Sequence, residues 1–211
     1  MRVSRENDLK FTRKIGLMGG TFDPIHFGHL FIAEEARVVC GLDEVIFFPN
    51  GTPAHAEGKV AALNAEIRFE LTEIGIASNP YFRASRLEIE RPGKSFAFDS
   101  ILEFQAELGA HVELFFIVGA DSMLDILTWH RGAELFELCR FVAASRPGFD
   151  LEIAKNRLSE AQKARVTWLE VPGLHIASRE LRSRVQNGEP IRYLVPDGVA
   201  ARIEELNLYQ F

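Results

Sequence analysis

The chain has 211 residues, 47% of them hydrophobic and 26% charged, with a formal net charge of −6. This length and balance suit a folded domain with a substantial core and exclude a mostly disordered chain. The acidic balance argues against sequence-independent nucleic-acid binding, which needs a basic face. Local phosphate binding stays open, because backbone N–H groups and a few placed cations suffice for it.

Met1 to Lys14 is polar and charged without an apolar core, which fits a short tail and not a secretory signal. Ile15-Gly16-Leu17-Met18 is an apolar run ending on Gly19-Gly20, a buried strand entering a tight turn. Over 29–40, Leu30, Ala33, Ala36 and Val39 share one helical face, and Gly41 is placed to end that helix in a left-handed cap. Val45-Ile46-Phe47-Phe48 is a second strand, stopped by Pro49. Strand, turn, helix and strand thus fall within about 35 residues, the size of a βαβ unit, which should be parallel and right-handed. Strands that are apolar throughout point to a sheet covered on both faces.

Asn50 to Ala62 is irregular and contains Gly, Pro and His; a loop of that length after a strand is often functional. Asn64 caps a helix running to about Ser78, Phe82 to Ile89 reads as extended, and Arg91 to Lys94 as a turn. Ser95 is expected to cap the next helix, which ends near Gly109. Val112 to Val118 is the strongest strand signal. A helical stretch from Asp121 ends at Trp129-His130-Arg131, and a further helix covers about Ala133 to Leu138. Phe141 to Ala144 and Val166 to Val171 are the last strands. Ser178 caps a helix that Gly188 ends, and Pro196 starts a terminal one. This alternation predicts an α/β fold with a doubly wound parallel sheet and flanking helices. Residues 15–211 then form one domain with a helical C-terminal part. Cys40 and Cys139 sit in apolar segments, so reduced thiols are expected rather than a disulfide. No run approaches the ~18 apolar residues of a membrane span. A cytoplasmic setting is expected, with neither nucleic acid nor membrane as partner.

The segment richest in chemistry is Gly19-Gly20-Thr21-Phe22-Asp23-Pro24-Ile25-His26-Phe27-Gly28-His29. It lies between the carboxyl end of the first strand and the start of a helix, where open α/β sheets bind ligands. The helix N-terminus offers unpaired N–H groups and a partial positive charge to a phosphate. His26 and His29 can both point into one crevice, and Gly28 keeps the space between them clear. Two donors on one phosphate would stabilise charge that develops during transfer. The segment is neither a P-loop nor the G-x-G-x-x-G dinucleotide fingerprint. A zinc site would need about two further ligands, with His55 the nearby candidate. By itself Ser178 reads as a plain N-cap, Trp129 equally well as a core residue, Asp121 as a cap and Arg146 as a solvated loop cation.

Segment 19–29 resembles the ATP-binding signature of the nucleotidyltransferase superfamily, His-x-Gly-His after the first strand. Ile176-Ala177-Ser178-Arg179-Glu180-Leu181-Arg182 is similar to that superfamily's second motif, Ile-Ser-Ser-Thr-x-x-Arg, with Ala177 and Arg179 as departures. Further stretches resemble the bacterial nicotinate-mononucleotide adenylyltransferase family in order and spacing. They include Gly41 to Val45, Glu88 to Gly93, Phe116 to Asp121, Thr128-Trp129, Arg146 to Gly148 and Ile191 to Pro196.

The resemblance implies a Rossmann-like fold and AMP transfer from ATP to nicotinate mononucleotide, giving nicotinate adenine dinucleotide and pyrophosphate in NAD biosynthesis. It implies an ATP site of Gly19, Gly20, Thr21, Phe22, Asp23, His26, His29, Gly119, Asp121, Ile176, Ser178 and Arg182, with His26, His29 and Arg182 catalytic. It implies an acceptor site of Thr52, His55, Phe96, Ala97, Trp129, His130 and Arg146, where Trp129 stacks on the pyridine ring. Ala54, Ala56 and Ala97 depart from the family pattern there. Mg²⁺ would arrive with ATP, and no protein metal cage is expected. Another acceptor (nicotinamide mononucleotide or phosphopantetheine), a regulatory nucleotide-binding protein and a class I aminoacyl-tRNA synthetase fragment are the rival readings. The oligomeric state stays open, with a homodimer among the options.

Overall fold

The structure is a computed structural model that describes residues 12–53, 61–145, 150–172 and 174–210. The apolar runs become strands of one parallel sheet. Its strands are β1 (Arg13–Gly20), β2 (Glu44–Pro49), β4 (Phe82–Ala84), β6 (Val112–Gly119), β7 (Arg140–Ser145) and β8 (Val166–Glu170), in the order β4-β2-β1-β6-β7-β8. A separate parallel pair joins β3 (Thr52–Pro53) to β5 (Lys94–Ser95). The helices are α1 (Phe27–Cys40), α2 (Ala65–Ile76), α3 (Leu87–Glu90), α4 (Ala97–Leu108), α5 (Ser122–Asp125), α6 (Leu135–Leu138), α7 (Leu151–Lys155), α8 (Glu160–Lys163), α9 (Ser178–Gln186) and α10 (Asp197–Glu205).

Side chains alternate across the sheet, as strand geometry requires. Met18, Phe47, Phe115, Ile117 and Val142 pack on one face with Ala33, Ala36, Leu71, Leu181 and Val199 of α1, α2, α9 and α10. Leu17, Ile46, Phe48, Phe116 and Phe141 pack on the other with Ile101 and Phe104 of α4. Both faces are covered, which is why the strands are apolar throughout. Helices on both sides of a parallel sheet make the expected doubly wound, Rossmann-like architecture. Among the described residues no helix is long and apolar enough to cross a membrane.

Gly41 sits at φ 63, ψ 46 and closes α1 as expected, since a left-handed cap is strained for other residues. Both cysteines are free thiols, and burial pushes Cys139 up to about 12. Several expectations need correction. The first strand begins at Arg13, so Arg13 and Lys14 belong to the sheet rather than to a tail; the Lys14 N–H is also tied to Asp43 Oδ2 at 2.7 Å. Only Phe82–Ala84 of the stretch 82–89 is strand, and Leu87–Glu90 turns helical. Ser95 does not cap α4: it pairs in β5, and Phe96 occupies the N-cap position. The short helices α7 and α8 were not anticipated, although Asp150 caps the first and a Ser159–Gln162 capping box the second.

Candidate active site

The chain leaves β1 towards β2 on one side and later returns to β6 on the other side of β1. That switch leaves a crevice beyond the carboxyl ends of β1 and β6, the usual ligand position in such sheets. The loop between β1 and α1 fills its floor and is held by buried bonds. Asp23, 3% exposed, accepts the Ala62 N–H on Oδ2 at 2.6 Å and the Tyr209 hydroxyl on Oδ1 at 2.8 Å. Arg182 Nη1 donates to the Asp23 carbonyl at 2.7 Å and lies 3.8 Å from Oδ2. Burial, and then the adjacent Asp23 charge, push the Tyr209 hydroxyl well above the usual phenol range. Asp23, expected among the nucleotide contacts, therefore spends both carboxylate oxygens on the protein and anchors the loop.

His26 is the N-cap residue of α1, and its N–H donates to His29 Nδ1 at 3.3 Å. A neutral His29 whose Nδ1 accepts carries its proton on Nε2. The two imidazoles stack at 3.7 Å between centroids and 20° between planes, and Phe22 meets His29 edge-on at 5.1 Å. A Cβ on Gly28 would lie 3.0 Å from Nδ1 and Cε1 of His26. Glycine there lets the His26 ring stand against the helix start; the space between the two imidazoles, expected to be kept clear, is closed by their stack.

The motif around Ser178 arrives on the opposite wall. A cavity of about 230 Å³ is lined by His26, Gly28 and His29 from α1 and by Ile176, Ala177 and Ser178 at the start of α9. At the start of α1 the Phe27 N–H goes to the Leu194 carbonyl and the His29 N–H to the His26 carbonyl, while both helix dipoles direct positive potential at this space. Ser178 is not the cap: Ala177 holds that position. The Ser178 hydroxyl instead donates to the Pro24 carbonyl at 2.9 Å, tying α9 to the first loop and leaving its oxygen as an acceptor. Arg182 stands one turn further on, with its guanidinium partly exposed.

Gly19 and Gly20 end β1 opposite Phe48 and Pro49. The Thr21 hydroxyl accepts Asn50 Nδ2 at 3.2 Å. Gly119 ends β6, and the exposed Asp121 folds back over it so closely that a Cβ on Gly119 would meet Asp121 Oδ1. Of the expected acceptor residues, Thr52 is exposed in β3 opposite Lys94. Phe96 packs on His130 at 4.6 Å between centroids, directly before Ala97. Trp129 is half-buried, with its ring edge-to-face on Phe116 at 6.4 Å. His55 and Arg146 lie outside the described residues. Three further residues build the site: Asn50, Arg68 and Tyr209. Arg68 left a readable signal, a cation within the buried stretch of α2; Tyr209 left only an apolar pair, Leu208-Tyr209. Among the described residues no three His, Cys, Asp or Glu side chains converge as a metal cage.

A model of the cytidylyltransferase-like family matches residues 17–184. A Moorella thermoacetica protein named "Probable nicotinate-nucleotide adenylyltransferase" is 46% identical over 204 residues, spanning 93% of this chain and 92% of that one. A Mycobacterium tuberculosis protein of the same name is 43% identical over 197 residues, spanning 92% and 91%. Among solved structures, the Plasmodium falciparum nicotinic acid mononucleotide adenylyltransferase complexed with NaAD superposes with a TM-score of 0.72 at 20% identity, over 94% of this chain and 98% of that one. The last likeness speaks for the fold; identity above 40% along nearly the whole length goes further. The chain belongs to the cytidylyltransferase-like family and, within it, to the nicotinate-nucleotide adenylyltransferases.

Proposed function

We propose that the protein transfers AMP from ATP to nicotinate mononucleotide, giving nicotinate adenine dinucleotide and pyrophosphate in NAD biosynthesis. The observation that carries this reading is the convergence of two helix N-termini and two stacked histidines on one cavity. The acceptor phosphate is largely dianionic near pH 7 and needs no base to attack. Its oxygen forms a bond to the α-phosphorus of ATP in line with the departing oxygen. The bond from the α-phosphorus to the bridging oxygen breaks, and pyrophosphate leaves with that electron pair. The protein contributes positioning and charge stabilisation.

In this reading His26 stabilises the α-phosphate in transfer. His29, Arg182 and the N–H groups at the start of α9 hold the β- and γ-phosphates. Gly19, Gly20, Thr21 and Phe22 form the wall along which the nucleotide lies, with Gly119, Asp121 and Ile176 bordering it. Asp23 and the Ser178 hydroxyl keep the loop in place. Trp129 stacks on the pyridine ring, and Thr52, Phe96, Ala97 and His130, with His55 and Arg146, complete the acceptor pocket. ATP is taken as its Mg²⁺ complex, with the ion carried on phosphate oxygens and waters. A cytoplasmic setting and a single catalytic domain belong to the same reading.

The test is pyrophosphate release from MgATP with nicotinate mononucleotide and nicotinamide mononucleotide compared side by side. Strong turnover with the acid and little with the amide is expected. Turnover with neither, in a protein that still binds a non-hydrolysable ATP analogue, would overturn the acceptor assignment.

A further inference from the structure

Arg68 of α2 is 1% exposed and fully buried. A guanidinium has five N–H donors, and here each has an acceptor. Nε donates to the Leu63 carbonyl at 3.2 Å. Nη1 donates to the Thr21 carbonyl at 2.8 Å and to Asn50 Oδ1 at 3.1 Å. Nη2 donates to the carbonyls of Asn50 at 2.6 Å and Gly51 at 3.3 Å. Every acceptor is a neutral carbonyl oxygen. Among the described residues no carboxylate lies within ion-pair reach of it.

A buried cation held only by neutral dipoles costs stability that an apolar side chain of similar size would not. Burial accordingly pulls this guanidinium below its ordinary pKa, against the more distant Asp23 charge. Something other than core packing is served, and the acceptors say what. Thr21 follows β1 in the wall along which the nucleotide is proposed to lie. Asn50 and Gly51 follow β2 and lead into Thr52 on the proposed acceptor side. Asn50 closes the triangle, with its N–H on the Gly20 carbonyl at 2.9 Å and Nδ2 on the Thr21 hydroxyl. The Gly51 N–H continues to Ser95 Oγ at 3.3 Å, next to Phe96.

We propose that Arg68 is the positioning residue that sets the spacing between the nucleotide loop and the acceptor loop, and hence the alignment of attacking oxygen and α-phosphorus. This rests on the proposed function. Lysine keeps the charge but cannot span five acceptors with a planar fork. In-line transfer is sensitive to alignment, and a displacement of about 1 Å can cost about 100-fold in rate.

The test uses Arg68→Lys, with the number of sites counted by calorimetric titration of a non-hydrolysable ATP analogue. The expected result is a kcat per titrated site lowered about 10- to 100-fold, with KM for ATP and for nicotinate mononucleotide each within about threefold of wild type. A kcat per site within twofold of wild type would overturn the proposal, because loss of folded protein alone lowers the number of sites and not the rate of each. If Arg68→Lys does not fold, Asn50→Ala replaces it; that change removes one of the five acceptors and the side-chain bond to Thr21. A roughly tenfold drop per site is then expected, and an unchanged value overturns the proposal. Failure of the proposed function itself is read separately, from wild-type protein that binds the analogue yet releases no pyrophosphate.

Discussion

His26 is held from three directions: by the stack on His29, by the start of α1 and by the absence of a side chain at Gly28. A pre-aligned donor of this kind acts mainly on the transition state. His26→Ala should lower kcat about 10²- to 10³-fold with a much smaller change in KM for ATP; weaker ATP binding at undiminished kcat would remove its assignment. Gly28 is buried in the first turn of α1, and the Cβ of an alanine there would press on the His26 ring at 3.0 Å. Gly28→Ala should turn over about tenfold more slowly, since a small misplacement is costly in transfer; an unchanged kcat would show that the position of the ring is not critical. Segment 19–29 was legible because all its groups lie in one short continuous stretch, from the end of β1 to the start of α1. The engagement of Asp23 and of the Ser178 hydroxyl was not legible, because their partners Tyr209 and Pro24 stand 186 and 154 residues away.

Among the elements, the strap from α3 through β5 to α4 was the hardest to read. Ser95 looks like a helix cap, but its hydroxyl accepts from Gly51. Glu88 looks like one of several charges in Glu88-Ile89-Glu90, but it is 5% exposed and accepts Ser100 Oγ at 2.5 Å. Local propensity cannot reveal either, since strands and helices of two to four residues are set by what they pack against. Burial raises the Glu88 carboxyl above its ordinary range, against the bonds from Ser100 and Ser95 and the charge of Arg91. The unfolded chain releases this proton at a lower pH than the folded one. The stability tied to the neutral form is thus present below the unfolded value of about 4.3 and is lost as pH rises through the raised folded value. Glu88→Gln keeps an acceptor for Ser100 without the charge. Its melting temperature should gain on wild type between about pH 4 and neutrality, and a constant difference across that range would contradict the assignment. The long elements were legible for the opposite reason: β1 and β6 are continuous apolar runs and α1 carries one apolar face, so each shows within its own stretch of sequence.

At the scale of the whole molecule, alternation of strands and helices sufficed for a parallel α/β fold, and the right-handed crossover rule narrowed it further. The order of strands was not readable, because each interior strand is apolar on both faces and would suit any interior position. Closure of the site depends on that order and on the C-terminal segment, since Phe27 donates its N–H to the Leu194 carbonyl and Tyr209 reaches Asp23. Tyr209→Phe removes one buried bond to a charged group. It should cost about 1–2 kcal/mol, or about 2–8 °C for a chain of this size, and should raise KM for ATP as the loosened Asp23 draws Arg182 inward. A thermal melt and an ATP titration check both effects, and an unchanged KM would confine Tyr209 to a purely structural role.

Tyr209 also gives the site a place in time. At 5–20 residues per second, about 10–40 s separate the synthesis of Asp23 from that of Tyr209. During that interval every strand after β1 is synthesised, while the Asp23 carboxylate waits for the hydroxyl that will hold it. A nascent chain can therefore own the strands of its sheet before the loop that carries Asp23 is fixed. Tight ATP binding then reports the docking of the segment around Tyr209 rather than formation of the sheet.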